Sequence, residues 1–324
     1  MKFNYGNRRS QMYSRWHTLM TGFWTTLWAI GTVVQAQEQI VDSNFVIVVE
    51  KPAYPQAGPI VAIDEAHCNF HTATGQYRPF ARLLESDGYA VRASLSKFQP
   101  GALAGIAVLV IANALPDDSL DLTKPAFTDA ECDMVKEWVK AGGSLLLIAD
   151  HAPFGSAAQN LARRFGMNMG QGWAFDRDET GELTSKVVFS RANGLLGMHS
   201  ILKGRSPREE ISVVKTFTGQ SLSVPINATA LLAFSANAYE AATREILNAE
   251  NPVRNSKSIA GRAQGIALSF GQGRVVALGE AGFLTAQLIR WPDGREVRFG
   301  MNVPGSDDQQ FALNVMHWLS RLIE

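Results

Sequence analysis

One apolar run, residues 144–149, ends abruptly at Asp150 and His151, and it constrains the fold more than any other stretch. A short apolar run bounded by turn residues is typical of a strand buried on both faces, as in a parallel α/β sheet. Ligands bind outside the carboxyl ends of such strands, so Asp150 and His151 are candidate site residues. A helix predicted from Ser156 would point its free N–H groups at the same crevice. The alternative is that Asp150 caps the turn and His151 is a surface residue.

Strands and helices alternate along the first half of the chain. Strands are predicted at 59–64, 89–95, 106–112 and 144–149, and a capping box from Thr128 to Glu131 begins the helix before the last of them. This alternation favours a doubly wound, flavodoxin-like α/β fold with a mostly parallel sheet in the order 2-1-3-4.

The second half predicts an antiparallel C-terminal extension of that sheet. Two apolar segments, 265–270 and 274–278, are separated by Gly271-Gln-Gly273, which is a hairpin signal. Further strands are predicted at 186–190, 211–215 and 230–234, and a polar surface excursion at 247–262. A last helix carries apolar residues at helical spacing from Phe311 onward.

The N-terminal segment has the pattern of an export signal. Basic residues precede an uncharged, largely apolar stretch that ends at Val34-Gln35-Ala36, so cleavage is expected after Ala36. An uncleaved membrane anchor is the alternative, because the uncharged stretch is close to the roughly 20 residues of a spanning helix. We therefore predict a signal peptide at 1–36, an exported lead-in at 37–58 and a single domain at 59–324. The expected location is periplasmic or secreted.

Charge and cysteine content exclude several classes of protein. Four of the 30 basic residues and none of the 30 acidic residues lie before residue 37, which leaves 26 basic and 30 acidic groups in the remainder. A mildly acidic chain lacks the basic footprint of a nucleic-acid-binding protein. Only Cys68 and Cys132 occur, so the chain is no disulfide scaffold. One disulfide is compatible with the compartment, but two independent buried thiols are the preferred interpretation.

Polar residues with potential chemistry cluster after the first and fourth strands. The candidate ligand-binding residues are Asp64, Glu65, His67, Asn69 and His71. The candidate catalytic residues are Asp150 and His151, together with Glu280 after the second hairpin strand. For Glu280 the alternative is a solvated turn residue.

Two chemistries fit these residues. Imidazole and carboxylate groups bind divalent zinc, iron or manganese, so His67, His71 and His151 are candidate metal ligands. A metal-free site would use a histidine as general base, with Asp64 or Asp150 fixing its tautomer and helix N–H groups stabilising an oxyanion. In both cases these loop residues have the alternative role of supporting the turns. His199 and His317 are less informative, and His317, in the last helix beside Trp318, is expected to be a packing or surface residue.

The absence of several sequence motifs argues against other catalytic mechanisms. The sequence contains no G-x-S-x-G elbow, no G-x-G-x-x-G after the first strand and no Walker lysine loop, so serine-nucleophile catalysis and nucleotide cofactors are not indicated.

The Asp64-Glu65-x-His67 loop after the first strand, the alternating units and the stretch from Gly142 to His151 resemble the class I glutamine amidotransferase-like superfamily over residues 59–287. The likeness is greatest to exported domains of unknown function and to ThuA-like proteins. Amidotransferases of the superfamily carry a cysteine nucleophile at the turn after the strand corresponding to 144–149. This chain has Asp150-His151 at that turn, so it lacks the nucleophile that glutamine amidotransfer by this mechanism needs. The resemblance therefore implies the fold and not that activity.

The sequence therefore predicts an exported protein with a His/Asp site at the carboxyl edge of its sheet. The favoured function is a hydrolase that acts on a small molecule, a sugar or an amide. The alternative is a non-catalytic module that binds a ligand or serves a cell-envelope complex. The expected partners are a small molecule or a carbohydrate, and a membrane only through an uncleaved signal segment.

Overall fold

The computed structural model describes residues 38–117, 121 and 123–324, and the predicted signal peptide lies outside them. Residues 37–324 form one compact unit. The strands are β1 (Glu38–Val41), β2 (Ile60–Asp64), β3 (Ala90–Ser94), β4 (Val108–Ala112), β5 (Ser144–Ile148), β6 (Trp173–Arg177), β7 (Leu183–Thr184), β8 (Val188–Ser190), β9 (Val213–Lys215), β10 (Ala228–Ala233), β11 (Tyr239–Ala241), β12 (Lys257–Ser258), β13 (Ala263–Phe270), β14 (Gly273–Leu278), β15 (Ala286–Arg290) and β16 (Glu296–Gly300). The α-helices are α1 (Arg78–Ser86), α2 (Asp129–Lys140), α3 (Phe154–Arg163), α4 (Ser200–Lys203), α5 (Arg244–Leu247) and α6 (Asp308–Leu319). Single 3₁₀ turns lie at Pro207–Glu209, Pro252–Asn255 and Gly282–Leu284.

A seven-stranded sheet in the order β10-β13-β14-β5-β4-β2-β3 forms the centre of the molecule. Five neighbouring strands, from β14 to β3, are parallel, and β13 and β10 extend them with antiparallel pairing. The predicted fold class is therefore confirmed, including the order 2-1-3-4 of the first four core strands and the β13–β14 hairpin. Smaller sheets in the orders β12-β11-β6-β7, β1-β15-β16 and β8-β9 complete the fold.

Alternate residues of the central strands pack against helices on opposite faces. In β4, Val108 and Val110 belong to one hydrophobic cluster with residues of α1 and α6, while Leu109 and Ile111 are equally buried but lie outside that cluster. Helices α2 and α3 contact each other, and their buried residues are not members of the cluster. This two-sided burial explains why β4 and β5 are continuously apolar in sequence.

The predicted lead-in packs on the domain. Strand β1 pairs with β15, and Phe45, Ile47 and Val49 pack against the main core, while Val46 and Val48 are exposed. The apolar stretch at 45–49 therefore packs on the core without forming a strand. Residues 38–58 therefore belong to the same compact unit as the central sheet.

Several short elements differ from the prediction. The polar stretch at 247–262 contains a 3₁₀ turn and β12, and β6, β15 and β16 were not predicted. The last helix ends at Leu319, so Leu322 lies beyond it. In the described residues, no helix is long and apolar enough to span a bilayer.

Candidate functional site

The loops after β2, β4, β5 and β14 meet at the carboxyl edge of the central sheet, because these four strands are parallel neighbours. Asn113, directly after β4, joins two of them. Its carbonyl accepts a hydrogen bond from the backbone of Phe70 at 3.0 Å, and its side-chain oxygen accepts one from the backbone of Asp150 at 2.8 Å. Its φ of 48° lies in the left-handed region, which asparagine tolerates better than most residues. Asn113 thus fixes the β2 and β5 loops relative to each other.

His67 lies between two carboxylates in the interior. Its Nδ1 is 2.9 Å from Asp64 Oδ2 and its Nε2 is 3.0 Å from Glu131 Oε1, and the side chains of His67 and Asp64 have no exposed area. Glu131 belongs to the capping box of α2, where its Oε2 accepts hydrogen bonds from Thr128. The rings of Phe98 and Phe127 enclose the imidazole at centroid distances of 4.7 Å.

This environment favours the cationic form of His67. Burial opposes the charge, but hydrogen bonds and charge attraction from Asp64 and Glu131 outweigh it, so the pKa of His67 is raised above 6.5. Each ring nitrogen then donates one hydrogen bond to a carboxylate. His67 is a buried ion-pair partner, and neither of its nitrogens is available to a ligand.

The other predicted ligand-binding residues of this loop also support the turn. Glu65 Oε1 accepts a hydrogen bond from the backbone of Ala73 at 2.9 Å. Asn69 accepts one from the backbone of His67 at 3.0 Å and donates one to the carbonyl of Ala112 at 3.3 Å. In these contacts Glu65 and Asn69 support the turn, which was the alternative role predicted for the loop residues.

His71 and Glu280 belong to a second buried group. The His71 ring contacts Tyr77 at a centroid distance of 4.6 Å, and its Nδ1 has no hydrogen-bond partner among the described residues. Burial lowers the pKa of His71 to about 3, so this imidazole is neutral. Tyr77 donates a hydrogen bond to the carbonyl of Ala281 at 3.2 Å. His71 therefore lies beside the start of the loop after β14.

Glu280 is 1% exposed, so it is not the solvated turn residue of the alternative interpretation. Its carboxylate accepts hydrogen bonds from the backbone of Gly282 at 2.6 Å and of Phe283 at 2.9 Å. Burial first, and then the charge of Asp150, raise the pKa of Glu280 well above 4.5. Glu280 stabilises its own loop, because its side-chain oxygens accept hydrogen bonds from backbone N–H groups of that loop. The charge of Asp150 acts on the Glu280 carboxyl group from nearby.

His151 is the half-buried histidine of this edge. Its Nδ1 lies 2.9 Å from the carbonyl oxygen of Ala152, and its ring stacks on Trp173 at a centroid distance of 5.1 Å and an interplanar angle of 21°. A carbonyl can only accept a hydrogen bond, so Nδ1 carries the proton and Nε2 holds the lone pair of the neutral ring. For His151 the carbonyl of Ala152 fixes the tautomer, whereas Asp64 contacts Nδ1 of His67 at 2.9 Å. Asp150 instead accepts a hydrogen bond from the backbone of His151 at 2.7 Å.

The three histidines do not form a metal centre. In the described part of the chain, no group of three or more His, Cys, Asp or Glu residues is arranged to hold a metal ion. His67 uses both ring nitrogens for carboxylates, His71 faces Tyr77, and His151 uses Nδ1 for a carbonyl. The set His67, His71 and His151 therefore does not fit zinc, iron or manganese, which need convergent lone pairs at about 2 Å.

Cys68 and Cys132 form no disulfide, and only Cys132 is buried, so the preferred interpretation of two independent buried thiols holds for burial at Cys132 alone. Cys132 is buried, and burial raises the pKa of its thiol to about 12. Cys68 is only half-buried, has a φ of 47°, and lies with Sγ 3.9 Å from Asp117 Oδ1. His199 caps α4 and His317 contacts Asp87 at 2.7 Å, so both are structural.

Four residues of this edge were not predicted from the sequence as site components: Asn113, Trp173, Tyr77 and Glu131. Asn113 had a signal, because an asparagine directly after a buried strand is a candidate for a left-handed turn. Trp173 and Tyr77 had none: Trp173 lies 22 residues after His151, and Tyr77, although only six residues after His71, has no pattern that marks it as a contact of the imidazole.

Comparisons with known proteins concern the fold. No protein-family model matches the chain, and no curated protein sequence matches it. The chain is similar to the N-terminal domain of mmIFT52, with a TM-score of 0.54 and 13% identity over 80% of this chain and 97% of that one. It is also similar to a ThuA-like protein from Bacteroides uniformis, with a TM-score of 0.42 and 10% identity over 85% of this chain and 94% of that one. A third structure, a GMP synthase-like protein from Thermoplasma acidophilum, has a TM-score of 0.39 and 12% identity over 82% of this chain and 98% of that one. The last two have glutamine amidotransferase-like folds.

The site as a whole offers one oriented base and several fixed charges. His151 Nε2 can accept a proton, and Asp150 adds negative charge next to it. The first turn of α3 follows directly, and no side chain caps it. Such N–H groups stabilise negative charge on a bound carbonyl or oxyanion.

Proposed function

We propose that this protein is a hydrolase for small molecules in which His151 is the general base. The observation that carries the proposal is the fixed tautomer of His151: Nδ1–H is held by the carbonyl of Ala152 and the ring is stacked on Trp173. A base that needs no reorientation before it deprotonates water is pre-organised for hydrolysis. The substrates would be esters, amides or glycosides of small size.

In this mechanism His151 Nε2 takes a proton from a water molecule as the water attacks the substrate. Nε2 holds the proton until the bond to the leaving group breaks, and then gives it to the leaving oxygen or nitrogen, which regenerates the neutral base. The carboxylate of Asp150, which accepts a hydrogen bond from the backbone of His151, adds negative charge near the imidazolium. N–H groups in the first turn of α3 would hold the developing oxyanion. The contacts of His67 with Asp64 and Glu131 contribute only indirectly, by holding the loop after β2 in place.

The test is turnover of chromogenic substrates by the wild type, His151→Asn and His199→Asn. Loss of a general base costs about 10²-fold to 10⁴-fold in rate, so His151→Asn should lose at least 10²-fold on the substrate that the wild type hydrolyses. His199→Asn is the matched control, because asparagine caps a helix as well as the histidine that it replaces. Thermal unfolding should leave His151→Asn within about 1 kcal/mol of the wild type.

Equal turnover by wild type and His151→Asn would contradict the proposal. So would a variant that unfolds easily while each folded molecule keeps its activity, since His151 would then be a structural support.

A non-catalytic module that binds a ligand or serves a cell-envelope complex is the second candidate. It is favoured by one observation: Glu65, His67, Asn69 and Glu280 direct their hydrogen bonds to the chain itself, which leaves few polar groups for chemistry. Saturable binding of a small molecule or carbohydrate without turnover, retained in His151→Asn, would support it over the hydrolase.

We further infer that the protein is exported to the periplasm or secreted, on the pattern of residues 1–36. Within the superfamily, we infer kinship with exported and ThuA-like members, because Asp150-His151 replaces the nucleophilic cysteine at the turn after β5.

A further inference from the structure

A cavity of about 330 Å³ lies next to the sheet formed by β12, β11, β6 and β7, and its lining does not include Asp150, His151 or Trp173. Its wall includes Gly170, Ser221, Glu240, Lys257, Ile259 and Arg262. This volume is within the range of about 300 to 1,000 Å³ that is usual for small-molecule pockets. Two of its lining side chains are cationic and one is anionic, so its charge favours an anion.

Arg262 is held in place by three hydrogen bonds that use only part of its guanidinium. Nε donates to Ser221 Oγ at 2.6 Å, and Nη2 donates to the carbonyls of Asn168 at 2.9 Å and Ser221 at 3.0 Å. Nη1 has no partner in the described part of the chain. Burial lowers the pKa of Arg262 from its usual 12.5, against the opposing effect of Glu240, but arginine stays charged at neutral pH. A guanidinium that is held in place and still has unused N–H donors is well suited to bind a carboxylate through charge-assisted hydrogen bonds.

Glu240 builds the wall, and in the described part of the chain it forms no direct ion pair with Arg262. Its Oε1 accepts a hydrogen bond from the backbone of Gln171 at 3.0 Å, and its Oε2 accepts two from Ser221, at 2.8 Å from the backbone and 2.7 Å from the hydroxyl. A Cβ at Gly170 would lie 2.2 Å from Glu240 Oε2, so this glycine allows the close approach. With its oxygens occupied, Glu240 leaves the unused N–H donors of Arg262 open to a ligand.

Lys257 supplies the second positive charge. It is exposed at the rim, and its ammonium forms no ion pair or hydrogen bond with the described residues. Met169 and Ile259 are buried and give the same cavity an apolar surface. The cavity therefore combines a cationic side with an apolar side.

We propose that this cavity binds a small organic acid, with its carboxylate between Arg262 Nη1 and Lys257 and its apolar body against Met169 and Ile259. The proposal does not depend on hydrolysis at His151, because it concerns different residues and a binding equilibrium.

The probe is benzoate, and benzamide is its uncharged counterpart of nearly equal shape. Titration of the mature protein, followed by NMR or calorimetry, should give saturable binding of benzoate at least tenfold tighter than that of benzamide. Lys257→Met should weaken benzoate binding about fivefold, the scale of a solvent-exposed ion pair. Lys203→Met is the matched control, since it removes an exposed lysine that does not line the cavity, and it should leave the affinity unchanged. Added salt should weaken benzoate binding, because part of the site is exposed.

Arg262→Lys keeps a positive charge but loses the fork of donors, and should weaken benzoate binding tenfold or more. If this variant fails to fold, Lys257→Met and the benzamide comparison still decide the question. Equal affinities for benzoate and benzamide, absence of benzoate binding, or an unchanged affinity in Lys257→Met would each overturn the proposal. Inorganic phosphate that binds more tightly than benzoate would also overturn it, in favour of a phosphate site.

Discussion

At the scale of single residues, His67 and His151 show how environment separates two histidines at one edge of a sheet. His67 is enclosed by two carboxylates and two aromatic rings, and His151 is held by one carbonyl and one indole. A buried cation between carboxylates is retained only as a set, because removing one partner leaves the others charged and desolvated.

We therefore expect His67→Leu to be strongly destabilising. The substitution keeps an apolar side chain of similar size but leaves Asp64 and Glu131 without their cation, at a cost of about 3 to 5 kcal/mol. Urea unfolding at neutral pH measures this loss directly. His151→Asn serves as the comparison, with a change within about 1 kcal/mol. A loss of less than about 1 kcal/mol in His67→Leu would mean that the network is not a buried ion-pair set.

Asp308 provides a pH-dependent contribution to stability. Burial raises its pKa from 3.8 to about 8, while the backbone N–H of Lys215 donates to its Oδ1 at 2.9 Å and opposes the rise. The folded protein therefore holds a proton between pH 3.8 and about 8 that the unfolded chain releases. The stabilisation is complete below pH 3.8 and is lost as the pH rises through about 8.

Asp308→Asn should remove this dependence, because the amide stays neutral and its oxygen can still accept the bond from Lys215. The free energy of unfolding of the wild type should fall relative to that of the variant by up to about 1.4 kcal/mol per pH unit between about pH 4 and 8. Denaturant titrations at several pH values test the slope. Parallel curves for the two proteins would show that Asp308 is ionised in the folded state.

At the scale of secondary structure, the start of α2 serves both the helix and the site. Thr128 and Glu131 form the capping box predicted from the sequence, and the second oxygen of the same glutamate contacts His67 at 3.0 Å. The helix end and the buried network thus share one carboxylate.

Thr128→Ala should cost about 1 to 2 kcal/mol, at the upper end for a helix cap, because it also removes the hydroxyl that donates to Glu131 at 2.8 Å. Thr243→Ala is the matched control. Thr243 caps the four-residue helix α5, in which no residue is buried, so its loss should cost less. Chemical denaturation of both variants compares them, and equal losses would show that the link between the cap and His67 contributes nothing.

A second junction ties helices to the docked N-terminal segment. Asp87, at the C-terminal end of α1, contacts His317 of α6 at 2.7 Å and accepts a hydrogen bond from the backbone of Ala53 at 2.7 Å. His317 is fully buried in this contact. The segment before β2 is therefore joined to the same layer of helices that covers the sheet.

At the scale of the whole molecule, the predicted export signal indicates the residue at which the mature chain begins. Cleavage after Ala36 would leave Gln37 as the first residue, directly before β1 pairs with β15. N-terminal sequencing of the exported protein checks this expectation. A chain that still begins at Met1 in the membrane fraction would favour the uncleaved anchor.

The central sheet was predictable because its signal is local. Strands buried on both faces must be continuously apolar, and β4 and β5 are. The hairpin of β13 and β14 has glycines at its turn, and α2 has its capping box. By contrast, β6, β11 and β12 are short and pair across large distances in sequence, so their pattern predicts little before the partners are known.

Local sequence patterns were enough to predict the parallel sheet, its strand order and the loops that bring histidines and acids to the carboxyl edge. They were enough because side-chain periodicity and turn chemistry depend on neighbouring residues. The role of each histidine, in contrast, follows from the folded structure. Two carboxylates make His67 a buried cation, desolvation keeps His71 neutral, and a neighbouring carbonyl fixes the free nitrogen of His151. The charge and tautomer of an imidazole depend on groups within a few ångströms of it. Glu131 and Trp173 reach these imidazoles only through folding, and Asp64 and Ala152, although close in sequence, contact them only in the folded turns.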